Sequence, residues 1–294
     1  MPSLKDIRNR IDSTKNTQKI TSALKLVSAA KLRRAQQNIV SLRPYAKSLL
    51  TLIADIAETQ KVQHKLLEKN DNPKTALYVV IASDRGLCGS FNSSIAKFAE
   101  QTMKEKSGDY EKMDFIFVGR RIIDYFKRRD VAPLEAITGL DKDISYELAA
   151  GVANKVIDAF KSGEYEEIQI VYNEFKSAIA QEVVCERILP IDTTNVNSFD
   201  KDEESRFAKD LIFEPSPEEI IEQLLEKHFA VQVYRCMSES VASEHGARMT
   251  AMENSTKNAG ELIKSLTTTY NKLRQASITK ELIEITTGAE ALNG

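Results

Sequence analysis

From Ser3 to about Ala57 the chain repeats at alternating steps of three and four. The repeat runs through Leu4, Ile7, Ile11, Thr14, Gln18, Thr21, Lys25 and Ser28. It continues through Leu32, Ala35, Ile39, Leu42, Ala46, Leu49, Ile53 and Ile56. A seven-residue repeat of this kind predicts a helix that supercoils against a partner helix. Both ends of the stripe are apolar, and its middle, Thr14 to Ser28, is polar. A second stripe of Ile20, Leu24 and Val27 lies on a neighbouring face there. Pro44 sits inside the pattern and is expected to kink the helix at most.

A second long helix is predicted to begin sharply, with Ser216 as N-cap, Pro217 in the first helical position and Glu219 completing a capping box. Its stripe runs through Leu224, Val231, Tyr234 and Val241, then Met252, Ala259, Leu262, Leu266, Leu273, Ala276 and Ile283, with polar His245 and Arg248 between. Gly246 and Gly260 weaken this helix without ending it.

Between the helices the period changes. Ala76–Ala82, Asp114–Gly119, Glu167–Tyr172 and Glu182–Leu189 read as strands. Ser93–Lys106, Arg120–Arg129 and Ser145–Lys161 read as helices. Alternating strands and helices predict a mostly parallel, layered sheet, and Asn195–Arg206 reads as an exposed loop. The expected fold class is α/β: a long antiparallel coiled coil of N- and C-terminal helices plus a small, Rossmann-like α/β domain. The expected segments are residues 1–60, 70–212 and 213–294.

This order has a geometric consequence. Two helices leaving one body run antiparallel, and helices of about 55 and about 75 residues differ in reach by roughly 30 Å. The projecting tip carries Ile278, Leu282, Ile283, Ile285, Ala289 and Leu292. No helix of this chain is left to cover that apolar surface, so it calls for a partner of another kind.

Charge sharpens the picture. Residues 1–60 hold 11 Lys and Arg against 4 Asp and Glu, although the 294-residue chain has a net charge of only −2. A nucleic-acid arm, a solvated helix face and an acidic protein partner all fit a basic helix bearing Arg8, Arg10, Lys15, Lys19, Lys25, Lys31, Arg33 and Arg34. Aromatic residues for stacking on bases are missing before Tyr45, which weighs against nucleic acid. The three cysteines and three histidines are scattered without metal-ligand spacing. The longest apolar run, Ala76–Ala82, is far too short to span a bilayer. No metal and no cofactor are expected.

The segment Ser83–Ser94, SDRGLCGSFNSS, follows a strand and opens a helix, as phosphate-binding turns do. It lacks the ending of a P-loop and the full dinucleotide fingerprint. A tight structural turn is the simpler reading, and Cys88 reads as a small packing residue. The basic cluster Arg120, Arg121, Lys127, Arg128 and Arg129 reads as a solvated face. Catalytic residues: none.

Three of these segments carry a family likeness. IRNRIDSTKNTQKITSALKLVSAAKLRRA (Ile7–Ala35), SDRGLCGSFN (Ser83–Asn92) and RQASITKELIEITTGAEA (Arg274–Ala291) occur in this order across the chain. They resemble the N-terminal helix, first strand-to-helix turn and C-terminal signature of the γ subunits of F-type ATP synthases. Leu24 departs from a common Met, and Ser90 from a common Gly. The resemblance implies the central rotating shaft of a bacterial F1Fo ATP synthase. Its coiled coil sits in a ring of three alpha and three beta subunits (an alpha3beta3 hexamer), and its body stands on the c-ring beside subunit epsilon, one copy per complex. It implies coupling to hydrogen-ion or sodium flow, a peripheral place on the cytoplasmic face of the inner membrane reached only through the Fo sector, and chemistry supplied by beta.

By motif position, the resemblance makes Arg248, Gln275 and Thr279 hydrogen-bonding partners of a catalytic-subunit loop, with Glu281 and Glu284 beside them. Arg8, Lys15, Leu24, Arg33 and Arg34 are the expected collar contacts on the first helix. The rivals are a phosphate-binding α/β enzyme with coiled-coil arms, marked by ATPase activity of the chain alone, and a nucleic-acid-binding arm, marked by salt-sensitive DNA or RNA binding.

Overall fold

The computed structural model describes residues 3–60, 64–68, 70, 72–139, 144–191 and 216–293. The loop expected at Asn195–Arg206 lies outside them. Ten elements follow in order: α1 (Leu4–Gln60), β1 (Thr75–Ile81), α2 (Phe91–Lys106), β2 (Lys112–Val118), α3 (Arg120–Lys127), β3 (Glu135–Ile137), α4 (Tyr146–Lys161), β4 (Glu167–Phe175), β5 (Gln181–Leu189) and α5 (Pro217–Asn293). They form two compact units, Ala29–Arg248, and Met1–Ser28 with Met249–Gly294.

The larger unit is built on a five-stranded sheet of order β3-β2-β1-β4-β5. All pairings are parallel except β4 with β5. Successive residues of a strand face opposite sides, so β1 feeds two cores. Leu77, Val79 and Ile81 pack with α4, with Leu49, Ile53 and Ile56 of α1, and with Ile221, Leu225 and Phe229 of α5. Ala76, Tyr78 and Val80 face α2 and α3, where Phe117 stacks on Phe126 with ring centroids 4.7 Å apart. Burial on both faces is why this strand reads as an unbroken apolar run.

Strand β3 is an addition to the expected set. With three residues and a leading Glu135, it has too little periodicity to read as a strand. It is held by parallel pairing with Ile116–Val118 of β2, which the Gly119 amide extends to the Ile137 carbonyl at 2.8 Å; Gly119 stands at φ 108°, where a Cβ would lie 2.3 Å from the Ala82 carbonyl oxygen.

Arg235 joins α5 to the sheet. Its guanidinium donates to Glu186 Oε1 of β5 at 2.6 Å, to the Tyr172 hydroxyl of β4 at 3.1 Å and to Gln232 Oε1 at 2.7 Å. Tyr172 in turn donates to Glu186 Oε2 at 2.8 Å. Gly246 continues the fit: a Cβ there would meet the Ala178 backbone at 3.2 Å, so its lack of a side chain lets α5 lie against the β4–β5 hairpin. The expected cap forms at the start of α5, where the Glu219 amide donates to Ser216 Oγ at 3.2 Å; at the start of α1 the Asp6 amide donates to Ser3 Oγ at 3.1 Å.

In the smaller unit α1 and α5 run antiparallel. Thr21 and Thr256 hydroxyls meet at 2.7 Å, and Lys25 Nζ lies 2.8 Å from Glu253 Oε1. Counting outward residue for residue, Thr14 faces Ile263, Ile7 faces Tyr270 and Leu4 faces Leu273. Every position of the α1 stripe from Leu4 to Ile56 is buried or half-buried. The α5 stripe needs a correction. Leu262 and Ala276 are exposed, and Ile263 and Tyr270 are the half-buried residues. A strict seven-residue repeat from Met252 and Thr256 passes through 259, 263, 266, 270 and 273, so Leu262 lies one position off the seam.

His228 gives the larger unit a pH signature. It is buried in α5, and burial pushes its imidazole pKa down to about 4. The unfolded chain takes up this proton near the ordinary value of 6.5, so the folded state loses stability as pH falls from 6.5 through about 4. The loss is about 3 kcal/mol. His228→Leu should remove that component: variant and wild-type denaturant-unfolding free energies, compared at pH 7.5 and pH 4, should converge toward acid or cross. Parallel pH dependences would contradict the assignment.

Candidate partner-contact surface

Beyond Leu273, no described residue of α1 lies opposite α5. At 1.5 Å per residue the remaining turns reach about 30 Å further. Within them Ile278, Leu282, Ile283 and Ile285 are 49%, 58%, 57% and 68% exposed. Ala289 is also exposed, and the Leu292 side chain lies outside the described ones. Gln275, Thr279, Glu281 and Glu284 are exposed on the same turns. Gln275, Ile278, Thr279 and Leu282 are spaced three or four apart, so they share one side of the helix. Ser277 Oγ holds Glu281 at 3.2 Å, and Lys280 lies 3.5 Å from Glu284.

On α1 in the smaller unit, Arg8 and Lys15 are exposed. Leu24 is half-buried between Ile20 and Val27, which are 60% and 55% exposed. In the larger unit Arg33 and Arg34 are exposed. Arg34 lines a cavity with Lys31, Asn38, Ile144 and His245.

Arg248 is buried, with Nε and Nη2 donating to the Gly86 carbonyl at 3.2 and 3.1 Å and Nη2 also to Glu244 Oε1 at 2.6 Å. It therefore ties α5 to the Ser83–Ser94 turn. Burial raises the Glu244 carboxyl pKa, and the Arg248 charge opposes that rise. The turn is closed from inside. Asp84 accepts from the Arg120 amide and from the Gly139 amide, each at 2.8 Å. The Ser83 amide donates to Asn92 Oδ1 at 3.1 Å. Asp84 and Asn92 are thus engaged by backbone amides of the chain itself and fix the turn in place.

Cys88 is buried, its thiol pKa is raised by burial, and Asn92 Nδ2 donates to its sulfur at 3.1 Å. That environment disfavours the thiolate a nucleophile needs. Among the described residues, no group of His, Cys, Asp and Glu is placed to hold a metal ion, and no helix is long and apolar enough to cross a membrane. Sequence reasoning missed Glu244 and Arg235. The spacing of Glu244 and Arg248, four apart on a helix, is the one signal that points to an ion pair.

A profile of the ATP synthase family matches residues 3–292. The ATP synthase gamma chain of Bdellovibrio bacteriovorus is 63% identical over the full length of both chains, and that of Geotalea uraniireducens is 43% identical, also over the full length of both. The chain belongs to the ATP synthase gamma chain family. The central stalk and c-ring structure of Tetrahymena thermophila mitochondrial ATP synthase contains a chain that matches 80% of this one and 98% of its own length, at 27% identity and a TM-score of 0.62. A chain of the Euglena gracilis mitochondrial enzyme shares the fold over 98% of this chain and 94% of its own, at 23% identity and a TM-score of 0.67. In this gamma chain, then, long terminal helices and a central sheet make a stalk-type fold, with an exposed apolar tip on the longer helix.

The Arg248 tie is testable. Arg248→Met should lower unfolding stability by about 3 kcal/mol, because it strands a buried carboxylate. Adding Glu244→Gln should restore part of the loss. Denaturant unfolding of both variants measures this, and an unchanged single variant would refute the tie.

Proposed function

We propose that this chain is the central rotating shaft of an F1Fo ATP synthase. It couples ion-driven rotation of the c-ring to conformational change and ATP synthesis in the beta subunits. The observation that carries the reading is the overhanging, apolar, uncovered end of α5: a surface of this kind demands a sheath. In this reading an alpha3beta3 ring surrounds the tip as a bearing around Ile278, Leu282, Ile283, Ile285, Ala289 and Leu292. Segments 1–60 and 213–294 are the shaft. Segment 70–212 is the body that meets epsilon and the c-ring, with one copy per complex. The complex holds the chain at the cytoplasmic face of the inner membrane as a peripheral subunit.

The chain supplies no catalytic group of its own. Its part is to contact each beta subunit differently at each angle, and a contact that differs between states shifts their populations. Gln275, Thr279, Glu281 and Glu284 are the exposed polar groups placed to grip a surrounding loop. Arg8, Lys15, Arg33 and Arg34 offer positive charge to acidic loops on the ring. Arg248 enters this surface indirectly, through the turn it holds. Leu24 presents a half-buried apolar step on the collar.

Two experiments on the assembled, membrane-reconstituted enzyme test the proposal. Ending the chain after Arg274 should leave ATP hydrolysis measurable but reduce protons pumped per ATP several-fold, whereas removing only 289–294 should cost far less. Equal coupling after the larger cut would defeat the bearing. Leu24→Lys should leave assembly intact and lower pumping per ATP, because a new cation meets acidic loops in some angular states and not others. Pair energies of a few kcal/mol suffice for this. Leu24→Met, which keeps volume and apolarity, should be nearly silent. Wild-type coupling in Leu24→Lys would remove the electrostatic account of the collar.

A further inference from the structure

A cavity of about 310 Å³ lies in the larger unit where α1, β5 and α5 come together. Leu50 of α1, with Ile188 and Ile191, gives it apolar walls. Glu186, Arg187, His228 and Gln232 supply its polar groups. Three consecutive residues of β5 line it because the strand is irregular there. Ile168 pairs with Leu189 and Gln169 with Arg187, so Ile188 is an extra residue in the ladder. Such a bulge breaks strict alternation and re-aims the side chains beside it.

The polar groups are unbalanced, with donors that lack acceptors. Glu186 is the one carboxylate in the wall, and both its oxygens are taken, Oε1 by Arg235 at 2.6 Å and Oε2 by the Tyr172 hydroxyl at 2.8 Å. Arg187 is exposed and, among the described residues, meets no hydrogen-bond or ion-pair partner. Gln232 turns its Oε1 to Arg235 at 2.7 Å, which leaves its amide nitrogen 3.5 Å from His228 Nε2. In neutral His228 that ring nitrogen is then the acceptor, and Nδ1 carries the proton. His228 is only 3% exposed, and its Nδ1 has no partner among the described residues. A buried donor left unmet costs stability.

We infer that this cavity is a binding site for a small carboxylate with a short apolar chain. The carboxylate supplies the acceptor that Arg187 and His228 lack, and it neutralises the unpaired charge of the wall. The apolar chain lies on Leu50, Ile188 and Ile191 and leaves water on binding. A cationic ligand would meet Arg187 unshielded, and a purely polar anion would leave the apolar walls wet. A ligand bound there touches three elements at once and stabilises the folded chain over the unfolded one.

The inference concerns the chain alone, so its failure and that of the shaft reading are separable. Only three histidines occur in the sequence, so ring carbon NMR signals of the isotope-labelled, full-length protein report on His228 directly. His64→Gln and His245→Gln assign that signal without touching the cavity. At neutral pH His228 is uncharged, its pKa pushed down to about 4 by burial. Hexanoate is the probe. It should move the His228 signal and leave that of His245 in place, with half-saturation at about 1 mM. Acetate, without the apolar chain, should bind about tenfold more weakly or worse, and hexylammonium should not bind. Arg187→Gln changes an exposed side chain, so it should keep the fold and weaken hexanoate about tenfold. A His228 signal unmoved by hexanoate at about 50 mM would overturn the site. So would equal movement of His245, acetate or hexylammonium matching hexanoate, or undiminished affinity in Arg187→Gln.

Discussion

The residue-for-residue register of two antiparallel helices governs the rest of the structure. Once Thr21 meets Thr256 and Lys25 meets Glu253, the level at which α1 ends along α5 is settled. The described apolar side chains Ile278, Leu282, Ile283 and Ile285 above Leu273 are then left exposed. The register holds because its middle is polar. A hydroxyl pair at 2.7 Å, half-buried or better, has few alternative positions along an apolar stripe. Gly260 adds a looser shape condition, since a Cβ there would lie 3.0 Å from the end of the Gln18 side chain.

The larger unit supplies rigidity by different means. The sheet is covered on both faces, and α5 is fastened to it by a guanidinium that serves one acceptor on β4 and one on β5 and is steadied by Gln232 of its own helix. Gly246 presses the same helix onto the hairpin tip, and Arg248 fastens it to the Ser83–Ser94 turn. These ties use buried charge. Their strength depends on each member being present, because removal of one partner leaves the other desolvated. A turn that looks like a phosphate cradle in sequence is thereby a strut.

Much of this was readable from the chain alone, and the reasons are specific. The α1 stripe was complete because a seven-residue repeat is a local signal, sustained over eight repeats and independent of any distant residue. β1 and β2 announced themselves by continuous apolar runs, and β4 and β5 by β-branched residues around Gln169 and around Glu186 and Arg187. Leu262 misled because it is apolar and one position off the true seam, and only the register with Ile7 and Thr14 identifies Ile263 and Tyr270 as the packed residues. β3 was invisible because three residues carry no period. Arg235 gave no sign of its role, since its acceptors Tyr172 and Glu186 are brought to it by the sheet. Arg248 was placed on the partner surface by likeness, while its bonds run inward to Gly86, 162 residues earlier in the chain.

That separation matters for the order in which the molecule forms. Thr21 and Thr256 are 235 residues apart, so their pairing closes a very long loop and carries a large entropic cost if attempted first. The β1–α2–β2 and β2–α3–β3 units close short loops and reward themselves locally. The coil is therefore a late event: the helix ends pair only after the intervening chain has condensed and brought them near. Until then α1 exposes the apolar positions Ile7 and Ile11 to water, and the nascent protein carries two sticky helices rather than one. Aggregation risk during synthesis is highest in that interval, before the polar register has been found.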